Sequence, residues 1–87
     1  MLWILIYVAT KAQHARSYAR IPGLLRALRE EAGLTQRQLG SILHKPQSWV
    51  YNCETGNRRV DVAEFAGWAE ACAMDPIVCV RRFLAAR

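Results

Sequence analysis

The residues of this chain best suited to read a chemical pattern stand close together, at Gln47, Ser48, Tyr51 and Asn52. On an α-helix this spacing turns all four side chains toward one side. Glutamine and asparagine amides can each form a bidentate pair of hydrogen bonds with adenine in the major groove. One such pair discriminates against a wrong base by about 1–3 kcal/mol. The alternative interpretation is that these residues are only the exposed polar side of a solvated helix.

Two short helices joined by a tight turn would carry this surface. Thr35 and Gln38 form a capping box, in which each side chain bonds the other residue's backbone N–H, so we expect a helix to begin there. That helix must end by Lys45, because the residue before a proline is disfavoured in the helical conformation. Pro46 suits the start of the next helix, expected over residues 46–54. A protruding helix about 10–12 Å across fits the major groove of B-DNA.

Three further helices are predicted around this pair. Helical spacing of leucines predicts the first over residues 22–32. A second capping box, Asp61 with Glu64, opens a fourth helix, and Asp75-Pro76 opens a fifth. The apolar residues expected to face inward on the last four helices are Leu39, Ile42 and Leu43; Val50 and Cys53; Phe65, Trp68, Ala69 and Cys72; and Val78, Val80, Phe83 and Leu84.

The composition permits one small domain and favours an anionic partner. Of the 87 residues, 53% are hydrophobic, which is enough to bury a modest core. Twelve Lys and Arg against seven Asp and Glu give a net charge of +5, which favours nucleic acid or an anionic membrane. We therefore predict a compact all-α domain of five helices over residues 21–87, after an extension over residues 1–20.

The extension is apolar at first and then basic. Residues 1–9 are too few to span a bilayer, which takes about 20 residues, and their β-branched and aromatic content favours a strand. They form either a short dimerising strand or arm, or an artefact of the assigned start, with translation beginning near Val8. Residues 10–20 form either a solvated linker or an arm along DNA phosphates.

The remaining reactive residues form no catalytic or metal-binding pattern. Cys53, Cys72 and Cys79 fit no zinc spacing, and we expect them to be small buried hydrophobic residues in a reducing cytosol. A redox-sensing role for Cys53 is the alternative. There is no supported Ser/His/Asp or Cys/His set and no Gly-rich phosphate loop, so we expect neither enzyme activity nor a cofactor.

Residues 24–76 resemble the lambda-repressor/Cro-like helix-turn-helix family, also called the XRE family. The features that match in type and spacing are Leu28-Arg29, Gly33-Leu34-Thr35-Gln36, Leu39, Gln47-Ser48 with Val50, Glu54, Gly56 and Asp75-Pro76. The resemblance implies a lambda-repressor-like fold and a Gln36 side chain that bonds a DNA phosphate. It also implies that the base-reading positions are those of Gln47, Ser48, Tyr51 and Asn52.

The resemblance further implies an ion pair between Arg29 and Glu54. This pair would join the first helix to the end of the helix expected over residues 46–54, which we call the reading helix. Glu54 stands beside Cys53 in a mostly apolar stretch and would be costly to bury alone, whereas a planar guanidinium suits it as a partner. Where the chain departs from the family, Gly40 replaces alanine and is expected to weaken the second helix by up to about 1 kcal/mol. His44 and Ala73 replace glycines where φ is often positive.

Basic residues around the reading helix are candidates for DNA phosphate contacts. Arg58 and Arg59 follow the helix, while Arg37 and Lys45 precede it as weaker candidates. The alternative for Arg58 and Arg59 is a solvated basic turn. Trp49 is expected to pack partly against the loop after the helix, and secondarily to touch a DNA sugar or a thymine methyl group.

These features together predict a dimeric repressor that binds a palindromic operator in double-stranded DNA, with half-sites about 34 Å apart. The second hypothesis is an antitoxin-like or phage-encoded adaptor whose apolar N-terminus or last helix docks a partner protein. A membrane-surface role ranks third, and we expect no membrane partner. By resemblance alone, we expect a cytoplasmic protein of bacterial or phage origin.

Overall fold

Residues 18–85 are those that the computed structural model describes, and helices separated by short connections account for most of them. The helices are α1 (Ile21–Glu31), α2 (Gln36–Leu43), α3 (Gln47–Glu54), α4 (Val62–Ala71) and α5 (Pro76–Ala85). This part of the chain contains no strand, so the predicted all-α architecture of five helices is confirmed. The strand or arm expected over residues 1–9, and most of the basic stretch after it, lie outside the described residues.

Local capping interactions fix where the helices begin. The Thr35 hydroxyl accepts a hydrogen bond from the Gln38 backbone N–H at 3.1 Å, and the Gln38 side chain accepts one from the Thr35 N–H at 2.8 Å. Asp61 and Glu64 cap α4 in the same reciprocal way, at 2.7 and 2.9 Å. Both predicted capping boxes are therefore present, and they satisfy backbone donors that the first turn of a helix leaves unpaired.

The core forms where all five helices meet. Its buried apolar members are Leu25, Leu28, Leu39, Val50, Cys53, Trp68, Ala69, Cys72 and Cys79. Trp68 is the largest fully buried side chain, and its indole N–H donates to the Leu25 backbone carbonyl oxygen at 3.0 Å. This bond satisfies the one polar atom of the indole, so the ring can be buried without leaving an unpaired donor.

The expectation that α5 closes the core with four apolar residues is wrong in its detail. Val78, Val80 and Leu84 are 47%, 44% and 46% exposed, whereas Cys79 is fully buried and Phe83 is half-buried. The physical reason is position, because α5 packs mainly on α4 at the edge of the domain. Within α5 the buried or half-buried residues are Pro76, Cys79 and Phe83, whose spacing places them on one side of the helix.

The turn between α2 and α3 explains why Gly40 stands in α2, although its low helix propensity made it appear unfavourable there. A Cβ atom on Gly40 would lie 2.6 Å from the Lys45 backbone carbonyl oxygen, much closer than van der Waals contact allows. The glycine therefore lets the turn fold back onto α2, a role that outweighs its low helix propensity. His44 adopts φ 57° at the end of α2, the left-handed conformation expected there. Ile42, expected to face inward, is 49% exposed.

No helix described between residues 18 and 85 is long and apolar enough to cross a membrane.

Candidate nucleic-acid interface

Helix α3, which carries the predicted base-reading residues, has one buried and one accessible side. Val50 and Cys53 are fully buried beneath it. The residues proposed to read bases lie on the other side, with Gln47, Ser48 and Tyr51 exposed and Asn52 half-buried. Tyr51 is 44% exposed, so its phenol can contact a partner. The helix thus offers polar side chains outward while its apolar residues hold it to the core.

Glu54, the last residue of α3, is anchored to α1 by a buried ion pair. The Arg29 Nε and Nη2 atoms donate to the two carboxylate oxygens of Glu54 at 2.6 and 3.0 Å. The side chains are only 11% and 2% exposed. Hydrogen bonding to Glu54 raises the pKa of Arg29. Arg29 also donates to the Leu34 backbone carbonyl oxygen at 2.8 Å, so one guanidinium joins α1, α3 and the connection before α2.

Two glutamines continue this hydrogen-bonded network to the first residue of α3. The Gln36 amide nitrogen donates to Glu54 Oε1 at 3.1 Å, and the Gln47 amide nitrogen donates to Gln36 Oε1 at 2.7 Å. A continuous chain of hydrogen bonds therefore runs from Arg29 through Glu54 and Gln36 to Gln47. Because Gln36 accepts from the Gln47 amide, it fixes which way that amide points. Sequence reasoning placed both glutamines near DNA but did not identify their contact with each other.

Arg58 is held within the molecule by a second ion pair. Its Nη1 and Nη2 atoms donate to Glu64 Oε1 and Oε2 at 3.1 and 2.9 Å, and Nη1 also donates to the Arg59 backbone carbonyl oxygen at 2.8 Å. The hydrogen bonds from Arg58 lower the pKa of Glu64. Glu64 was predicted only as a capping residue. Its place in the first turn of α4, shortly after Arg58, is the signal that could have identified this partner.

Trp49 lies between the basic residues on either side of α3. Its ring centroid is 6.1 Å from that of the buried Trp68. Lys45 Nζ lies 5.2 Å from the Trp49 ring centroid, and the Arg58 guanidinium lies 5.0 Å from it, both within the range of a cation–π interaction. Trp49 therefore positions two cations beside the reading helix, and its contact with Arg58 is the expected packing against the following loop.

Arg59 and Arg37, two further candidates for DNA phosphate contacts, differ in how firmly their side chains are held. The Arg59 guanidinium stacks 4.4 Å from the Tyr18 ring centroid, and the Tyr18 hydroxyl accepts a hydrogen bond from the Val60 backbone N–H at 2.9 Å. Tyr18 thereby stabilises the loop after α3, a role that was not predicted from the sequence. Arg37 is exposed in the first turn of α2, and it forms no ion pair with any residue between 18 and 85.

The three cysteines are free thiols inside the core, as expected. Burial raises the pKa of each thiol, in Cys72 to about 11. They are therefore protonated near neutral pH, and a thiol rather than a thiolate is a poor nucleophile and metal ligand. Within residues 18–85, no cluster of His, Cys, Asp or Glu could hold a metal ion. This environment argues against the redox interpretation of Cys53.

The arrangement of α2, the tight turn and α3 defines a DNA-binding helix-turn-helix domain, and comparison with known proteins agrees. Residues 23–78 match the helix-turn-helix domain family. The structure is similar to that of an XRE-family like protein from Pseudomonas syringae pv. tomato str. DC3000. The TM-score is 0.80 at 36% sequence identity, over 88% of this chain and 94% of that one. A comparison with curated proteins found no match. The chain belongs to the XRE-type helix-turn-helix family.

Proposed function

We propose that this protein is a sequence-specific transcriptional repressor that binds a palindromic operator as a homodimer. The observation that carries the proposal is the chain of hydrogen bonds that ends at Gln47. A side chain held in one orientation before binding loses little conformational entropy when it pairs with a base. Two copies related by a two-fold axis would place their reading helices in successive major grooves, about 34 Å apart.

The outward residues of α3 divide into proposed roles by chemistry. The amides of Gln47 and Asn52 pair with adenine, while the hydroxyls of Ser48 and Tyr51 bond base edges. The proposed phosphate contacts come from Gln36, Arg37, Lys45, Arg58 and Arg59. These contacts fix the position of the helix on the duplex but carry no sequence information, so specificity rests on the base-reading side chains of α3.

Repression would follow from occupancy of a promoter. A dimer that covers two successive major grooves excludes RNA polymerase from the same segment of DNA. The protein would act in the cytoplasm, where bacterial or phage DNA is transcribed. The proposed role needs no catalytic residue and no cofactor.

Selection of duplexes from a randomised DNA pool tests the proposal directly. The full chain should enrich a two-fold symmetric motif. The Gln47→Ala, Asn52→Ala double variant should lose or change that motif, because each lost bidentate pair removes about 1–3 kcal/mol of discrimination. Salt-sensitive binding without any enriched motif would contradict sequence-specific reading.

Arginine variants separate phosphate contacts from base reading. Arg37→Ala should weaken binding to every sequence and reduce the slope of log affinity against log salt by about one. Arg26→Ala is the matched control, because Arg26 is exposed on α1 and pairs with Glu30. Arg58→Ala should also weaken all sequences, but it leaves the Glu64 carboxylate without its partner, so Arg37 gives the cleaner result.

A second candidate function is an antitoxin-like or phage-encoded adaptor that docks a partner protein and binds DNA only secondarily. Exposed apolar side chains on α4 and α5 favour it, since Val62 is 87% and Ile77 64% accessible. Co-purification of the tagged protein with a neighbour-encoded protein, together with the absence of any enriched DNA motif, would select this function over the first.

A further inference from the structure

An apolar groove is lined by residues of α1, α4 and α5. Its cavity volume is about 430 Å³, within the range of about 300–1,000 Å³ that is typical of binding sites. The lining is almost wholly apolar and includes Ile21 of α1, Val62 and Phe65 of α4, and Val80 and Phe83 of α5. Val62 and Val80 are 87% and 44% exposed, so the groove presents apolar surface that a partner can cover.

The N-terminal extension meets this groove at Tyr18, the first residue that the structure describes. The Tyr18 hydroxyl accepts a hydrogen bond from the Val60 backbone N–H at 2.9 Å, and the Arg59 guanidinium lies 4.4 Å from the Tyr18 ring centroid. Val60 and Arg59 line the groove as well. Two contacts of different kinds therefore hold the extension at the groove, and residues 1–17 are attached to the domain at this point.

The extension carries an apolar segment whose chemistry suits the groove. Residues 1–9 read MLWILIYVA, with no charged side chain. Removal of such side chains from water is favourable in proportion to the apolar area that they bury. Residues 10–17 separate this segment from Tyr18, and a link of eight residues can span up to about 28 Å. The segment can therefore reach the groove beside which its own chain is anchored.

The covalent attachment favours this segment over a separate molecule as the occupant of the groove. A short link holds two binding surfaces of one chain at an effective concentration on the order of millimolar, which a second copy would have to exceed. Charge favours the same occupant. Asp61 is exposed at the rim of the groove and forms no ion pair with another residue between 18 and 85. Residues 10–17 contain Lys11 and Arg16 and no acidic residue.

We propose that residues 1–9 of this chain pack into the groove of the same molecule, where they cover Val62 and Val80. Residues 10–17 are then held at both ends beside the loop after α3, to which Tyr18 is bound. The inference does not rest on the proposed function, because no residue of α3 lines the groove.

Nuclear Overhauser effects in the isotope-labelled full chain test this contact directly. The methyl groups of Ile4 and Ile6 should show cross-peaks to those of Val62 and Val80, because such cross-peaks form only between protons a few ångströms apart. A sample that mixes labelled and unlabelled copies separates contacts within one chain from contacts between two copies. The cross-peaks should be absent when the spectrum is filtered for contacts between copies.

Two valine positions provide a matched perturbation of the groove. Val62 lines the groove and is 87% exposed, so a glutamate there leaves the core intact, whereas Val78 is 47% exposed and does not line the groove. Chymotrypsin cleavage after Trp3 and Tyr7 should become about tenfold faster or more in Val62→Glu, because packing the segment would bury an unpaired charge. In Val78→Glu it should change less than about twofold. Circular dichroism of both variants should match that of the parent chain.

The converse change places the charge on the segment. Ile4→Glu, Ile6→Glu should shift the backbone amide signal of Val80 in the full chain, because the segment leaves the groove. Ala12→Glu, Gln13→Glu is the control, since it adds the same charge outside the apolar segment, and it should leave that signal in place.

Three outcomes would overturn the proposal. Cross-peaks that appear only between copies would assign the groove to a second molecule. The absence of any cross-peak between residues 1–9 and the groove would show that the segment does not pack there. Chymotrypsin could also cleave the parent chain and Val62→Glu at the same rate, which would show that the groove does not protect the segment.

Discussion

The two arginine–glutamate pairs around α3 are both held by two hydrogen bonds, but they lie in different environments. Arg29 and Glu54 form two hydrogen bonds of 2.6 and 3.0 Å, and Arg58 and Glu64 form two of 2.9 and 3.1 Å. The first pair is 11% and 2% exposed, the second 40% and 23%. Burial rather than bond length therefore distinguishes them.

The difference in burial changes what each pair does. Glu54 ends α3, where the carbonyl end of the helix dipole disfavours a negative charge, and almost no water reaches it. Its charge is tolerable only because Arg29 and Gln36 bond both oxygens. Glu64 keeps part of its hydration, and its carboxylate lies in the first turn of α4, where the dipole favours it. The buried pair is thus a requirement of the fold, and the exposed pair an adjustable surface contact.

The largest expected effect comes from breaking the buried pair. Glu54→Ala leaves the Arg29 guanidinium unpaired beneath α3, and removing one partner of a buried pair costs about 3–5 kcal/mol. Domains of this kind have free energies of unfolding of about 5–15 kcal/mol, so the variant should lose a large fraction of its stability, and it is largely unfolded if the parent lies at the lower end of that range. Urea unfolding followed by tryptophan fluorescence measures this, since Trp68 lies in the core.

Glu64→Gln is the control for that measurement. A glutamine retains the capping box of α4, because either Glu or Gln serves at that position, while the charge opposite Arg58 is removed. Its loss of stability should be several-fold smaller than that of Glu54→Ala. Near-native stability of Glu54→Ala would show that burial does not separate the two pairs.

The two ion pairs also show which features of the structure could be predicted from the sequence. Helix starts were predictable because a capping box such as Thr35 with Gln38 involves residues three positions apart, whose geometry one helical turn fixes. The Arg29–Glu54 pair spans 25 positions, and only the resemblance to a family of known fold suggested it. The pattern of residues within each segment was therefore sufficient for the helices but not for contacts between them.

Features that depend on how helices dock were the ones missed. The Gln36–Gln47 contact and the Arg58–Glu64 pair join different segments, and no spacing rule specifies which polar groups then meet. Gly40 looked unfavourable because helix propensity counts only its own helix, whereas the close approach of the Lys45 carbonyl depends on the turn. The exposure of Val80 likewise depends on the position of α5 at the edge of the domain.

Measurements over a range of salt concentrations test the difference between the two ion pairs, and the expected effect is of intermediate size. The Debye length falls to about 3 Å in 1 M salt, which screens exposed charges but affects buried ones much less. The destabilisation caused by Glu64→Gln, measured by urea unfolding, should decline toward zero between about 0.05 and 1 M NaCl. The destabilisation caused by Glu54→Gln should change by less than about 0.5 kcal/mol over the same range of salt concentration. Parallel salt dependence in the two variants would contradict the distinction.

The smallest expected effect is the acid sensitivity of the exposed pair. Hydrogen bonds from Arg58 lower the pKa of Glu64 in the folded state below its ordinary value of 4.5. A carboxylate with a depressed pKa contributes stability that is present above its unfolded-state pKa and is lost as the pH falls through the folded-state value. The contribution of this pair should therefore disappear below pH 4.5 and be constant near neutrality.

An NMR titration of the Glu64 carboxyl carbon measures this shift at a single residue. In Arg58→Ala the pKa of Glu64 should rise toward the ordinary value, while the hydrogen bond from the Asp61 backbone N–H and the charge of Lys45, which also lower it, remain. Arg26→Ala, which removes an exposed arginine that pairs with Glu30 instead, should leave the Glu64 titration unchanged. An unchanged titration in Arg58→Ala would mean that the capping interaction and the charge of Lys45, rather than Arg58, lower the pKa of Glu64. The Arg58 guanidinium would then be free to leave Glu64 for a DNA phosphate at almost no cost in stability.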